Sequence, residues 1–166
     1  MSNTSKCIAG ITLIELMVAI AVLSILLTIG VPGFNSFIQN SRSTALANEL
    51  VTTLNLARSE SVRRAEDIIV CASNDQTSCS GDWVDGWIVI PSGANQTPIR
   101  VWDSPAQTAV IARTGASGNL IFNSLGELVT GNTTFNTHFS NCNGEQARSI
   151  NINASGRINT RRIVCP

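Results

Sequence analysis

Residues 10–20 read GITLIELMVAI, and from Ile11 to Val31 every residue except Glu15 is apolar, small or hydroxylated. At ~1.5 Å of rise per residue such a run makes a helix of ~30 Å, enough to cross the hydrocarbon core of a bilayer. A carboxylate at that depth is costly and marks function. A conventional secretory signal would carry a small-residue cleavage site after the apolar core, where this sequence reads LLTIGVPG. A plain anchor explains the length of the run but not Glu15.

The leader MSNTSKCIAG removes the difficulty. It is short and polar and ends in Gly10, so cleavage there would leave a new ammonium on Ile11, four residues before Glu15. Glycine, a hydrophobic residue and then T-L-I-E-L resembles the class III signal of type IV pilins and pseudopilins, with Ile11 where phenylalanine is usual. The resemblance implies that a prepilin peptidase cuts after Gly10 on the cytoplasmic side and methylates Ile11. It also implies that Glu15 pairs with the N-terminal amine of a neighbouring subunit during assembly, which turns a buried charge into a register device. The implied partners are other pilins through the N-terminal helix, the peptidase, the membrane and an inner-membrane assembly platform. The implied location is single-pass in the bacterial inner membrane with a periplasmic head, and then the pilus or cell surface.

Pro32 and Gly33 follow the apolar run, and a proline there removes one helical hydrogen bond, which predicts a bend. Beyond it Phe37, Ile38, Leu46, Leu50, Leu54, Ala57 and Ser61 recur mostly at steps of three and four, so an amphipathic helix continues to about Arg64. The segment LARSESVRR, residues 56–64, resembles the signature that closes this helix in GspH/FimT-type minor pilins and pseudopilins. After it come short β-like runs, DIIVCAS, WVDGWIVI, IRVW, NLIFNS, RSININ and RINTRRIV, separated by Gly, Pro, Asn and Ser. WVDGWIVI and NLIFNSLG resemble the W-x-x-G-W-x-V segment and the F-x-x-x-G turn of the same family. Trp83 and Trp87 fall on one strand face if no bulge intervenes, and are read as packing residues. The expected fold is α+β, a pilin fold with a long N-terminal helix packed on an antiparallel β-sheet head. Its expected parts are a leader at 1–10, a transmembrane segment at 11–31, an amphipathic segment at 32–64 and a head at 65–166.

Five cysteines occur, and Cys7 lies in the leader. The other four, Cys71, Cys79, Cys142 and Cys165, suit two disulfides in an oxidising compartment. Three pairings are open, and locality favours Cys71 with Cys79 and Cys142 with Cys165. Zinc is disfavoured, because no C-x-x-C spacing occurs and His138, read here as a loop residue, is the lone histidine. With no tyrosine, no G-x-S-x-G and no phosphate-cradling glycine loop, neither a catalytic site nor a cofactor is expected.

The formal net charge is zero, which argues against coating nucleic acid with the whole protein. Residues 146–166 nevertheless carry Arg148, Arg157, Arg161 and Arg162 with no acid. ASGRINTRR resembles the G-R-x-R element of FimT-type pilins, some of which capture DNA, although Asn159 stands at the second arginine position. If those four arginines cluster they can hold phosphates without reading sequence, with a steep salt dependence. The simpler reading is a charged edge strand that resists aggregation or faces another pilin. The function expected is that of a minor type IV pilin serving twitching, adhesion or DNA uptake. A type II secretion minor pseudopilin and a DNA-binding pilin of natural transformation stand as alternatives.

Overall fold

The computed structural model describes residues 11–93, 96–105 and 107–166; Cys7 and Gly10 lie outside them. One helix, α1 (Leu13–Arg64), runs for 52 residues, and its assignment continues through Pro32, so the proline does not end it. Two compact units divide the chain at Phe37 and Ile38.

In the first unit the start of α1 is set by Thr12. Its carbonyl accepts the first helical bond from Leu16 N–H at 3.2 Å, and its hydroxyl accepts from Glu15 N–H at 3.3 Å. Thr12-Leu-Ile-Glu15 is therefore a capping-box sequence, and it puts a carboxylate in the first turn, where the helix dipole favours one. The hydroxyls further along the apolar run are satisfied on the helix itself. Ser24 donates to the Ile20 carbonyl and Thr28 to that of Ile25, both at 2.8 Å, which is how polar side chains are tolerated in hydrocarbon. Every described side chain from Ile11 to Phe37 is exposed within the chain. By length and composition α1 can cross a membrane.

In the second unit the helix presents Leu46, Ala47, Leu50, Leu54 and Ala57, each buried, at the spacing of one helical face. Eight strands follow: β1 (Ile68–Ala72), β2 (Gly86–Pro91), β3 (Arg100–Asp103), β4 (Ala109–Gly115), β5 (Leu120–Phe122), β6 (Thr133–Phe139), β7 (Ala147–Ile152) and β8 (Ile158–Ile163). They form two four-stranded antiparallel sheets, ordered β3-β2-β1-β5 and β4-β6-β7-β8, which make up the expected antiparallel head. The helix face, Ile68, Val70, Trp87, Val89, Leu120 and Phe122 from the first sheet, and Phe135, Phe139, Ile150 and Ile152 from the second enclose one core.

Three local devices fix this arrangement. The helix ends in a Schellman-type turn: Ala65 is left-handed at φ 53, and Glu66 N–H reaches back to the Ser61 carbonyl at 3.3 Å. Gly86 opens β2 at φ 121, where a Cβ would lie 2.6 Å from the Trp102 carbonyl oxygen, so β3 closes on it only because the side chain is absent. The turn after β5 is held by Asn123, whose Oδ1 accepts from the N–H groups of Leu125 and Glu127 at 3.0 and 2.9 Å. Its Gly126, at φ 78, lies against Arg58 and Val62 of α1. Because alanine is strained in the left-handed region, Ala65→Gly is expected to raise stability by about 1 kcal/mol. Thermal unfolding checks this, and a lowered midpoint counts against the assignment.

Two segments differ from the sequence reading. Trp83 is not on a strand but in the Asp82–Asp85 turn, because Asp85 N–H bonds the Asp82 carbonyl at 2.9 Å and the strand begins only at Gly86. It still packs inward, 6.5 Å from the Trp87 ring and edge-on to Phe135 at 4.7 Å. His138 lies on β6, not in a loop, because Thr133, Phe135, Thr137 and Phe139 alternate into the core and leave Thr134, Asn136 and His138 on the other face.

Candidate assembly residues and the arginine edge

Ile11 and Glu15 stand at the exposed start of α1, Ile11 at 77% exposure. The Glu15 backbone N–H is used by Thr12, whereas its carboxylate makes no hydrogen bond or ion pair among the described residues. An acid with a satisfied backbone and an unsatisfied side chain at a helix N-terminus is suited to a cation from outside the chain. Gly10, the expected cleavage position, lies outside the described residues.

The arginines of the C-terminal region do not gather. Arg148 sits on β7, 5% exposed, on the core face with Ile150 and Ile152. Its Nη2 donates to Asn40 Oδ1 at 2.6 Å and to Thr44 Oγ1 at 2.9 Å on α1. Its Nη1 reaches the carbonyls of Glu145, Gln146 and Ala147 at 3.1–3.2 Å. Burial, and then the positive charge of Arg162, push its pKa down. Arg148 is thus a clamp between helix and sheet, and the expectation that it joins a phosphate-binding cluster is corrected.

Register separates the others. Arg162 is the Cα partner of Arg148 and shares its face of the sheet, while Arg161 opposes Ser149 and lies on the opposite face. Arg157 lies in the turn before β8. Arg161, with Thr134, Ser149, Asn151 and Asn159, lines a shallow cavity of about 230 Å³ on that opposite face. Because β8 ends the sheet order, its exposed arginines sit on an edge strand, where charge discourages strand addition. Arg148→Ala is expected to destabilise by about 3 kcal/mol, since it strips the donors from Asn40, Thr44 and three carbonyls. Arg161→Ala should shift the midpoint by less than about 0.5 kcal/mol. Comparing the two by denaturant unfolding tests the separation, and equal effects would contradict it.

The structure joins Cys71 to Cys79 and Cys142 to Cys165, with Cα–Cα distances of 5.5 and 5.8 Å. The first bridge closes a loop in which Asp75 accepts from the Ser78 hydroxyl and from the N–H groups of Ser78 and Thr77, holding its carboxyl well below the usual range. The second ties the segment after β6 to the tail after β8, beside the Cys165 N–H to Gly144 carbonyl bond at 2.8 Å. At the helix end Glu60 accepts from Arg63 and from Arg64, at 2.7 Å for the latter, which lowers its pKa. Among the described residues no group of His, Cys, Asp and Glu is placed to hold a metal.

Over residues 46–156 the sequence matches the family described as Type II transport protein GspH. The chain belongs to this family. Residues 5–31 of this GspH-type chain also match the prokaryotic N-terminal methylation motif. Its fold is similar to the type IV minor pilin FimU of Pseudomonas aeruginosa, at 27% identity over 78% of this chain and 92% of that one, with a TM-score of 0.60. A second crystal form of FimU gives 29% identity over 71% and 91%, with a TM-score of 0.56. The minor pseudopilin EpsH of the type 2 secretion system of Vibrio cholerae shares the fold at 12% identity, 74% and 97% coverage and a TM-score of 0.51. No curated protein matches. The fold is therefore the pilin fold, and the chain is a minor pilin or pseudopilin, a structural subunit and not an enzyme.

Proposed function

We propose that this GspH-type chain is a minor type IV pilin. It is stored single-pass in the inner membrane with its head in the periplasm, cut after Gly10, methylated at Ile11, and then incorporated into a pilus or used to start one. The observation that carries this reading is the likeness to FimU, whose sequence identity is more than twice that of EpsH at comparable coverage. The capped, exposed N-terminus with its unpaired Glu15 carboxylate supports assembly through α1, a neighbouring subunit's methylated amine being the cation. The two disulfides support an oxidising location for the head. The prepilin peptidase and an inner-membrane platform are the further partners of this reading.

The test is to shear surface filaments and ask whether the chain co-purifies, beside a Gly10→Ala variant. The wild type is expected in the sheared fraction. The variant should stay as a longer precursor in the membrane, because the added methyl group blocks the cut. Normal processing of the variant sinks the cleavage assignment. Loss of protein secretion on deletion, with piliation intact, would instead make the chain a secretion pseudopilin, the reading that the family description favours. DNA capture has less support, since Arg148 is occupied and Arg161 and Arg162 lie on opposite faces.

A further inference from the structure

A cavity of about 230 Å³ lies where the two sheets of the head approach each other. It is lined by the Cys71–Cys79 bridge, Ser80, Gly81 and Trp83 on one side and by Arg113, Gly118 and Asn119 on the other. Arg113 comes from β4 opposite Phe135, and its guanidinium lies 5.9 Å from that ring. Nη2 donates to the Ala116 carbonyl at 2.7 Å and Nη1 to that of Gly118, so the loop after β4 fixes the plane of the fork.

Those two bonds use two of the five N–H groups a guanidinium carries, and the Nε–H is buried without a partner. Burial pushes the Arg113 pKa down, and among the described residues no carboxylate lies within ion-pair distance of it. Asp85, beside Gly81, does not serve, because its carboxylate is turned into its own loop and accepts from Asp82 N–H at 2.9 Å. Trp83, braced edge-on by Phe135, supplies an apolar wall. At Gly118 a Cβ would meet nothing within 4 Å, so the approach beside the fork is open.

A half-desolvated cation oriented by backbone carbonyls and facing a cavity without an acid is completed by an anion that accepts from the N–H groups left on Nη1 and Nη2. We propose that this cavity is a carboxylate-binding site, in which Arg113 holds the carboxylate and Trp83 packs on a short methylene stem. The carboxylate belongs either to an acidic side chain of a neighbouring subunit or to a small free acid. The site is separate from the helix-borne contact at Glu15, and its failure leaves the pilin reading untouched.

The test titrates the full chain in detergent micelles, following tryptophan fluorescence, at constant ionic strength. The probes are glutarate, a blocked glutamate-containing tripeptide, and glutaramide as the neutral isostere. A saturable change is expected with an acid and none with glutaramide, and Arg113→Gln should weaken it at least tenfold. Asn119→Asp, at an exposed position, leaves the guanidinium bonds intact and adds a competing carboxylate at the rim. It too should weaken binding at least tenfold, which keeps the proposal testable if Arg113→Gln fails to fold. Tighter saturation by the peptide than by glutarate identifies a subunit side chain as the source, and tighter saturation by glutarate identifies a free acid. No saturable change with either acid, an equal response to glutaramide, or unaltered binding in Asn119→Asp overturns the proposal.

Discussion

Glu15→Ala is expected to be processed and methylated as the wild type is, yet to fall at least tenfold in sheared filaments. The balance of local terms supports this direction. In an isolated subunit the substitution removes a charge from the start of the membrane segment, which relieves less than the roughly 2.5–3.5 kcal/mol that a charge costs at a helix centre. It forfeits only ~0.3–1 kcal/mol of first-turn dipole stabilisation, and the Thr12 hydroxyl still caps the backbone N–H of residue 15. The monomer is thus no worse anchored, and a loss of assembly can be assigned to a missing contact between subunits. Glu15→Gln refines the point, because it keeps the shape and the hydrogen-bonding carbonyl but not the charge. Gln is expected to assemble as poorly as Ala. Filaments with wild-type content of the Gln variant would show that the side chain acts as a hydrogen-bond acceptor and that its charge is not required.

The helix was legible because its signals are local. Leu46, Leu50, Leu54 and Ala57 repeat at helical spacing, and the apolar run before Pro32 needs no knowledge of the rest of the chain. The T-L-I-E capping box is equally local, four consecutive residues from Thr12 to Glu15. The strands were legible where Val and Ile run together between turn residues, as in β1 and β2, whereas β4 and β6 were not read. In β6 the alternation of Thr133, Phe135, Thr137 and Phe139 was present, but Asn132, Asn136 and Asn141 gave the stretch the texture of a loop. In the missed β4, Val110 and Ile111 are the only large apolar residues, set between small and polar ones without an alternating pattern.

The arginines could not be sorted from sequence at all. Arg148 and Arg162 face the same side only because β7 and β8 pair in one register, and Arg148 is neutralised as a candidate by Asn40, which is 108 residues away. Arg113 gave no motif either, since its significance rests on two carbonyls and an absent acid. Such properties come from long-range pairing, which spacing along the chain does not encode.

Trp87→Ala is expected to cost about 4 kcal/mol, a large share of the ~5–15 kcal/mol that holds an ordinary domain together. Its ring is fully buried between α1 and the first sheet, stacks 6.3 Å from Trp102, and donates Nε1–H to Thr53 Oγ1 at 2.8 Å. That bond links the helix to a strand 34 residues on, and Thr53 in turn donates to the Glu49 carbonyl at 2.8 Å. Thr53→Val keeps the volume but leaves the indole N–H buried without an acceptor, at a cost of about 2 kcal/mol. Trp87→Phe removes the donor and part of the ring, leaving a cavity. The double variant should therefore cost less than the sum of the two single ones, because once the indole N–H is gone the valine orphans nothing. Denaturant unfolding of the four proteins measures the difference. Strict additivity would mean that the hydrogen bond from Trp87 to the buried hydroxyl of Thr53 contributes nothing to docking the head onto α1.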